Sequence, residues 1–426
     1  MSLTPCQDKG LQAFMSFLAS PDTYFSLMGV SGAGKTYLTI KYLEAVKDYN
    51  KARGTLGLPN FEVVTTATTK KAAGVLYDVL SNYFTSANVS TIHSYLGLTL
   101  RINYNTGEEY LTATKRFKPK TNAIIFIDEA SYVGKDLYRY INKAVGFNTK
   151  VVFIGDDDQL LLPTEKYSSA FHNTTSKVKL ETTKRQPDGS KITELAHAFR
   201  KTLYGSPWPN VDDYLGLDVV HLNQQQFLDT IQSNFLSSPD DNKVICYTND
   251  AVIDYNNHIR SVLGSPPNEF LSGETVYLGE PILTKDTDSI LIPADSAVYI
   301  NPTTGIHKPW FLPFEYTVYS VTSKNTKANS ALVAHPRNYA EAKKYIRSLA
   351  DAKNWKDYFN FKSIIADIRL PYAITAHKSQ GSTYTNVFID LDNMSTCYDK
   401  NTLARLLYVG ISRATTKVYL YGSLYG

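Results

Sequence analysis

Tyr24-Phe-Ser-Leu-Met28 runs directly into Gly29-Val-Ser-Gly-Ala-Gly-Lys35-Thr36, and this junction decides how the chain is read. The first five residues are apolar and strand-forming, the next eight complete a G-x-x-x-x-G-K-T, and helix-forming residues follow. The physics of the motif is direct. Glycines let backbone N–H groups turn inward, a helix N-terminus adds partial positive charge, and Lys35 sets a cation on terminal phosphates. Gly32, Ala33, Gly34, Lys35 and Thr36 are therefore expected to cradle a nucleoside triphosphate, with the Thr36 hydroxyl offered to Mg²⁺. A plain glycine-rich strand–helix turn would leave the Lys-Thr ending unexplained.

Working outward, short β-rich runs recur at 61–66, 123–127, 151–154 and 178–180, with helical stretches at 41–49 and 70–83 between the earlier ones. Alternation of this kind implies a parallel sheet wrapped by helices. It returns at 244–248, 251–263, 386–391 and 417–420, so a second α/β unit is expected, joined to the first near 183–190. Residues 98–121 break the pattern, with an Asn-Thr-Gly turn at Asn105–Gly107 that suggests a hairpin. Residues 270–335, rich in Pro and Gly, suggest a small all-β insert, and one polar helical stretch is expected over 339–361.

A phosphate loop alone does not hydrolyse ATP. Ile124-Ile-Phe-Ile-Asp128-Glu129 ends a second apolar strand, which places Asp128 to hold Mg²⁺ through water and Glu129 to activate the attacking water. A third strand ends in Gly155-Asp156-Asp157-Asp158-Gln159. Gln159 is read as a γ-phosphate sensor, Asp156 as the support of its turn, and Asp157 and Asp158 as solvated. Developing charge on the γ-phosphoryl group also needs a cation from outside the loop. Arg413, in Leu407-Tyr-Val-Gly-Ile-Ser-Arg413-Ala414, and Arg185, in Thr183-Lys184-Arg185-Gln186, are the candidates.

Composition narrows the class. The 426 residues are 43% hydrophobic and 20% charged, which excludes a disordered or fibrous chain. Cys6, Cys246 and Cys397 lie far apart without metal-ligand spacing, which fits a reducing compartment. The polar start argues against a signal peptide, the absence of a long apolar run argues against a membrane, and a cytoplasmic protein is expected. Forty-four Lys and Arg against 40 Asp and Glu leave +4, so an anionic partner must be met by local patches.

From Cys6-Gln7 to Arg413 these motifs, in this order, resemble superfamily 1B helicases of the phage Dda type. The resemblance implies an α/β fold of two RecA-like parallel-sheet lobes. The first, 1–182, carries a β-hairpin pin at about 97–121. The second, 183–268 and 370–426, is interrupted at 269–369 by an SH3-like β-barrel with a helical arm. It implies that Gln7 reads adenine. It also implies that 67–73, 90–95, 246–249 and Thr375-Ala-His377-Lys-Ser-Gln-Gly-Ser382-Thr383 meet nucleic acid through Thr66, Thr69, Lys71, Thr91, His93, Thr248, Asn249, His377, Ser382 and Thr383. Tyr104 and Tyr110 flank the hairpin tip, where they either stack on the last base pair or pack across the strands. Thr68 and Leu161 stand where the family usually has proline, and neither is expected to touch the phosphate chemistry.

The expectation is an ATP- and Mg²⁺-dependent helicase moving 5′ to 3′ on single-stranded DNA and opening forked DNA. Polarity comes from the resemblance alone. A monomeric engine working beside single-strand-binding or replication proteins is expected. The alternatives are a translocase that strips proteins from a single strand and a nucleotide-gated binding switch. RNA as the track stays open.

Overall fold

The computed structural model describes residues 3–85, 88–162, 165–181, 189–266, 270–279, 282–283, 290–292, 297–307, 313–323, 326–334 and 338–424. The chain packs as two compact units. One holds residues 1–99, 111–224 and 376–426, and the other holds 100–110 and 225–375.

The first unit opens with α1 (Pro5–Ala19), β1 (Tyr24–Gly29), α2 (Lys35–Thr55), β2 (Glu62–Ala67), α3 (Lys70–Ser81), β3 (Val89–Thr91) and α4 (Ile92–Leu96). After the hairpin strands β4 (Leu98–Ile102) and β5 (Glu109–Ala113) come β6 (Ala123–Asp128), α5 (Lys135–Ala144), β7 (Thr149–Gly155), α6 (Ser169–His172) and β8 (Ser176–Leu180). The resulting sheet has the order β3-β2-β6-β7-β1-β8, and the pairings given between its neighbours are all parallel. Both faces of this sheet are covered, which is why its strands read as continuous apolar runs rather than as alternation. Phe14, Phe25, Tyr42, Phe126 and Ile154 fill one face. Ile125, Ile127, Leu137, Ile141 and Phe153 fill the other.

The same unit contains α7 (Lys191–Thr202) and β9 (Val219–Leu222). Elements α8 (Gln224–Ser237), β10 (Asn242–Cys246) and α9 (Asn249–Val262) follow, and they lead into the second unit. There β10 runs parallel to β18 (Ala373–Thr375), and Asn256 of α9 ties that pair by bonds to the backbone of Tyr372 and Ala373. Residues 270–370 supply β11 (Glu274–Leu278), the short pair β12 (Ile282–Leu283) and β13 (Ile290–Ile292), β14 (Ala297–His307), β15 (Tyr316–Ser323), β16 (Thr326–Ala334) and β17 (Ile368–Arg369). Five of these form an antiparallel sheet of order β16-β15-β14-β11-β17, closed over Val276, Leu278, Val298, Ile300, Tyr319 and Val321.

The helical stretch expected over 339–361 is two helices, α10 (Tyr339–Asp351) and α11 (Trp355–Ile364). The break has a local cause. Lys353 sits at φ +54, and the Asn354 side chain caps the next helix by accepting from the Asp357 N–H. The chain then re-enters the first unit with α12 (Ala376–Ser379), β19 (Tyr384–Asp390), α13 (Leu391–Ser395), α14 (Lys400–Ile411) and β20 (Ala414–Tyr421). Strand β20 runs parallel to both β19 and β9. The three cysteines carry no disulfide. Among the described residues no helix is long and apolar enough to cross a membrane.

Candidate nucleotide site and nucleic-acid contacts

Between β1 and α2 the loop turns on Gly32 and Gly34, both in the left-handed region at φ +78 and +79. A side chain at Gly34 would also put its Cβ 2.6 Å from the Gln7 amide nitrogen, so only glycine fits here. Gln7 is held from both ends. It closes a capping box at the start of α1 with Thr4, and its Nε2 donates to the Ala33 carbonyl at 3.3 Å. The Lys35 ammonium reaches back over the loop to the Gly29 and Val30 carbonyls at 2.7 and 3.1 Å. Thr36 follows it as the second residue of α2.

Asp128 ends β6 at the same edge of the sheet, and Glu129 follows it. The Asp128 carboxyl is half-buried and accepts the Glu129 N–H at 2.9 Å. Burial first, and the Glu129 charge second, push it up to about 7 from the usual 3.8. A buried carboxyl of this kind is stabilised as an anion by a nearby cation, which is the environment that suits a Mg²⁺ ligand. Glu129 has φ +52, a conformation uncommon for a non-glycine residue. Its carbonyl is held by the Thr68 hydroxyl at 3.1 Å, and its Oε2 accepts from Gln380 at 3.2 Å. Thr68, which stands where the family usually has proline, thus contacts the backbone of Glu129. Its hydroxyl anchors the left-handed turn at Glu129.

Arg413 is buried, 2% exposed. Its Nη2 donates to the Ser31 hydroxyl of the phosphate loop at 2.9 Å, and its Nε to the Val409 carbonyl at 3.0 Å. Burial pushes its guanidinium downward, and the Glu129 charge opposes that. Lys35 and Arg413 thus converge on one loop. Arg185 lies outside the described residues. Gln159 is buried at 4% exposure, donates to Asp156 Oδ2 at 3.1 Å, and leaves its own Oε1 without a hydrogen-bond partner. A buried acceptor left open in this way fits a site completed by a ligand.

Sequence reasoning missed the residues that join these parts. The Tyr408 hydroxyl accepts the Ser31 N–H at 3.0 Å and donates to Asp156 Oδ2 at 2.6 Å. Arg405 Nη1 holds the Asp157 and Gln159 carbonyls at 2.8 and 2.6 Å. Gln380 spans Glu129, Ser131 and Tyr132. All three lie inside or just before motifs quoted for other members, and polar side chains there were the available signal. Asp158 is not solvated as expected. It is 2% exposed and takes Arg200 Nε and the Tyr204 hydroxyl, each at 2.5 Å. Asp157 faces Lys179 at 3.5 Å.

The expected nucleic-acid residues divide by environment. Thr66 is fully buried and donates its hydroxyl to the Phe126 carbonyl at 2.8 Å, so it braces the sheet from inside. Thr69, Thr91 and Thr248 each cap a helix that leaves a strand end, accepting from Ala72, Ser94 and Ala251. Lys71, exposed, donates to the Lys378 carbonyl at 3.2 Å. His93 and His377 are half-buried, and burial pushes both imidazoles down, so they are neutral at pH 7. Asn249 and Thr383 are exposed, whereas Ser382 gives its carbonyl to Arg413 at 3.3 Å. Tyr104 and Tyr110 are exposed beside the hairpin tip, and Tyr104 lies edge-on to Phe359 of α11 at 6.5 Å.

Comparison with known proteins agrees with this geometry. The sequence profile of the AAA domain family matches residues 5–221, just over half the chain, and that of the UvrD-like helicase C-terminal domain matches 370–421. The chain is 23% identical to the ATP-dependent DNA helicase dda of Enterobacteria phage T4, over 98% of each chain. It is 21% identical to an uncharacterised protein of Acanthamoeba polyphaga mimivirus, over 92% of this chain and 94% of that one. Two solved structures share the fold. One is from work on unwinding at forked double-stranded DNA by two coordinating Pif1 helicases, with TM-score 0.53, 16% identity and coverage of 99% and 92%. The other is Pif1 helicase from Bacteroides in complex with ADP-AlF3 and single-stranded DNA, with TM-score 0.53, 14% identity and coverage of 100% and 94%. The chain belongs to the AAA domain family, and its similarities are consistent with the superfamily 1B helicases of the Dda type.

Proposed function

We propose that this protein hydrolyses ATP to move along single-stranded DNA from 5′ to 3′ and to part forked DNA. The observation that carries the reading is Arg413 of the 407–414 motif reaching Ser31 of the phosphate loop at 2.9 Å. A second cation delivered to the loop from a distant segment is what phosphoryl transfer needs and what a passive nucleotide switch does not. Lys35 releases the loop carbonyls to meet the terminal phosphates, and Gln7 and the left-handed glycines seat the nucleotide. Thr36 and Asp128 would hold Mg²⁺, which supplies countercharge to the phosphates. Glu129, fixed by Thr68 and Gln380, orients and deprotonates the attacking water, and Gln159 reports whether the γ-phosphate is present.

The track is gripped without reading its sequence, through exposed Thr69, Lys71, Asn249 and Thr383 and through neutral His93 and His377. The hairpin at 97–121 is the parting element. Residues 269–369 form an SH3-like barrel with α10 and α11 as its arm, inserted in a second lobe built from 183–268 and 370–426. Forked DNA is the substrate, and the protein acts as a monomer in the host cytoplasm.

Lys35→Ala is expected to abolish turnover while DNA binding stays within a few-fold. Arg413→Ala is expected to lower kcat by roughly 10³-fold. Unimpaired turnover in either variant rejects the assignment of the site. Unwinding of duplexes with a 5′ or a 3′ overhang decides polarity, and opening from the 3′ overhang alone would reverse it.

A further inference from the structure

Strand β7 ends at Gly155, and Asp156-Asp157-Asp158 form the turn that leads to Gln159. One oxygen of each carboxylate lies within 4.8 Å of one oxygen of the other two. Acids this close repel one another and hold their shape only where each has a donor of its own. Each does. Asp156 Oδ1 accepts the Asp158 N–H at 3.1 Å, and its Oδ2 accepts Gln159 Nε2 and the Tyr408 hydroxyl. Asp157 faces Lys179 of β8 at 3.5 Å. Buried Asp158 takes Arg200 Nε from α7 and the hydroxyl of Tyr204 just beyond that helix.

Helices α7 and α14 pack together, and both reach the turn. Helix α14 supplies Tyr408 and Arg405, and Arg405 Nη1 holds the Asp157 and Gln159 carbonyls. Helix α7 supplies half-buried Arg200. The Tyr204 ring is 63% exposed, yet its hydroxyl is spent on Asp158, and Lys179 stands 5.8 Å from the ring centre. The Gln159 amide is anchored at Asp156 alone and leaves its Oε1 without a hydrogen-bond partner. Its orientation therefore depends on how firmly the turn itself is held.

We propose that Arg200 is a positioning residue for the γ-phosphate sensor: bound to Asp158, it fixes the turn so that Gln159 meets the γ-phosphate in one orientation. This rests on the reading of Gln159 as that sensor. Three observations select the role. Asp158 is the residue next to Gln159 in the chain, so a bond that fixes one restricts the other. A turn held through Asp156 would pivot on that contact, and the Asp158–Arg200 bond supplies a second fixed point on another helix. Arg200 also lies outside every motif assigned to nucleotide or track, which leaves Asp158 as its route to the site.

The test titrates each variant with ADP and with a triphosphate whose β–γ bridge is nitrogen, both with Mg²⁺, and measures ATPase on single-stranded DNA. Q159A is the reference and is expected to lose kcat and the preference for the triphosphate. R200M is expected to lose roughly 10-fold of both, with affinity for ADP and for single-stranded DNA unchanged. R200M also leaves a buried acid unpaired, which destabilises the fold. D158N/R200M removes that charge and keeps an acceptor for the Tyr204 hydroxyl. It is expected to regain the wild-type denaturation midpoint but neither kcat nor the triphosphate preference. R200M/Q159A is expected to be no worse than Q159A, because the two residues act in one chain of contacts. A wild-type preference in R200M overturns the proposal. So does a loss in R200M/Q159A that multiplies the two single losses, or a D158N/R200M that regains kcat together with stability. A Q159A variant that keeps both kcat and preference would instead reject the sensor reading itself.

Discussion

Deleting a single oxygen from Tyr408 probes the site without touching any group that meets the nucleotide. Its hydroxyl, almost wholly enclosed, accepts from Ser31 of the phosphate loop and donates to Asp156, which also receives Gln159. Burial and the neighbouring Asp156 charge hold the phenol far above its usual ionisation, so it is a donor at every working pH. Tyr408→Phe removes the hydroxyl that accepts the Ser31 N–H and one of the two donors to Asp156 Oδ2, at a cost of about 1–3 kcal/mol. It is expected to lower kcat at least ~10-fold while single-strand affinity holds, as read by steady-state ATPase and equilibrium binding. An unchanged kcat would make the hydroxyl merely structural. Thr68→Val is expected to act likewise through the freed Glu129 carbonyl. Lys35, Asp128 and Glu129 were legible because their chemistry and their spacing coincide in one short run. Tyr408 and Gln380 were not, because each acts on a partner about 250 residues or more away, and no local pattern encodes that pairing.

Elements whose period or turn chemistry is strong were readable to within a few residues, as at β1, β6 and α9. The helix break at Lys353 was not. Its signal, Asn354 followed by Asp357, is a short cap within a stretch that otherwise has helical composition. That break creates α11, whose Trp355 ring lies against Gly107 at the hairpin tip, close enough that any Cβ there would collide with it. Gly107 also sits at φ +76. The hairpin tip is therefore backed by Trp355 and Phe359 of α11, as the aromatic residues interleaved along that stretch allow for an arm docking on the pin. Gly107→Ala is expected to lift the tip from α11 and slow duplex opening several-fold, leaving single-strand-stimulated ATPase near normal. Trp355→Ala should do the same by removing the support. Equal losses of unwinding and ATPase would show that the tip serves the motor rather than strand separation. Tyr110→Ala separates stacking from support, since it should slow opening without loosening the tip.

Across the whole molecule, residues 376–426 pack in the same unit as the phosphate loop although more than 300 residues separate them from it. The lobe boundary expected at 370 came from the family resemblance, not from a local pattern in the chain. Stability on this scale carries a pH signature. His93, His197 and His377 are each pushed below the usual 6.5, foremost by burial, with Arg200 and Lys201 adding to it at His197. The folded protein then binds fewer protons than the unfolded chain wherever the free imidazole is charged. Stability is fully present above about pH 6.5 and falls as pH drops through the folded values. Denaturation midpoints measured from pH 7.5 to 5.5 should decline for the wild type. They should decline less for H93Q/H197Q/H377Q, which removes the three groups that must charge on unfolding. Parallel declines in both proteins would assign the acid sensitivity to other groups. Because His93 and His377 are neutral at pH 7, H93Q and H377Q should also leave the salt slope of single-strand binding unchanged, whereas Lys71→Ala should lower it by about 0.7.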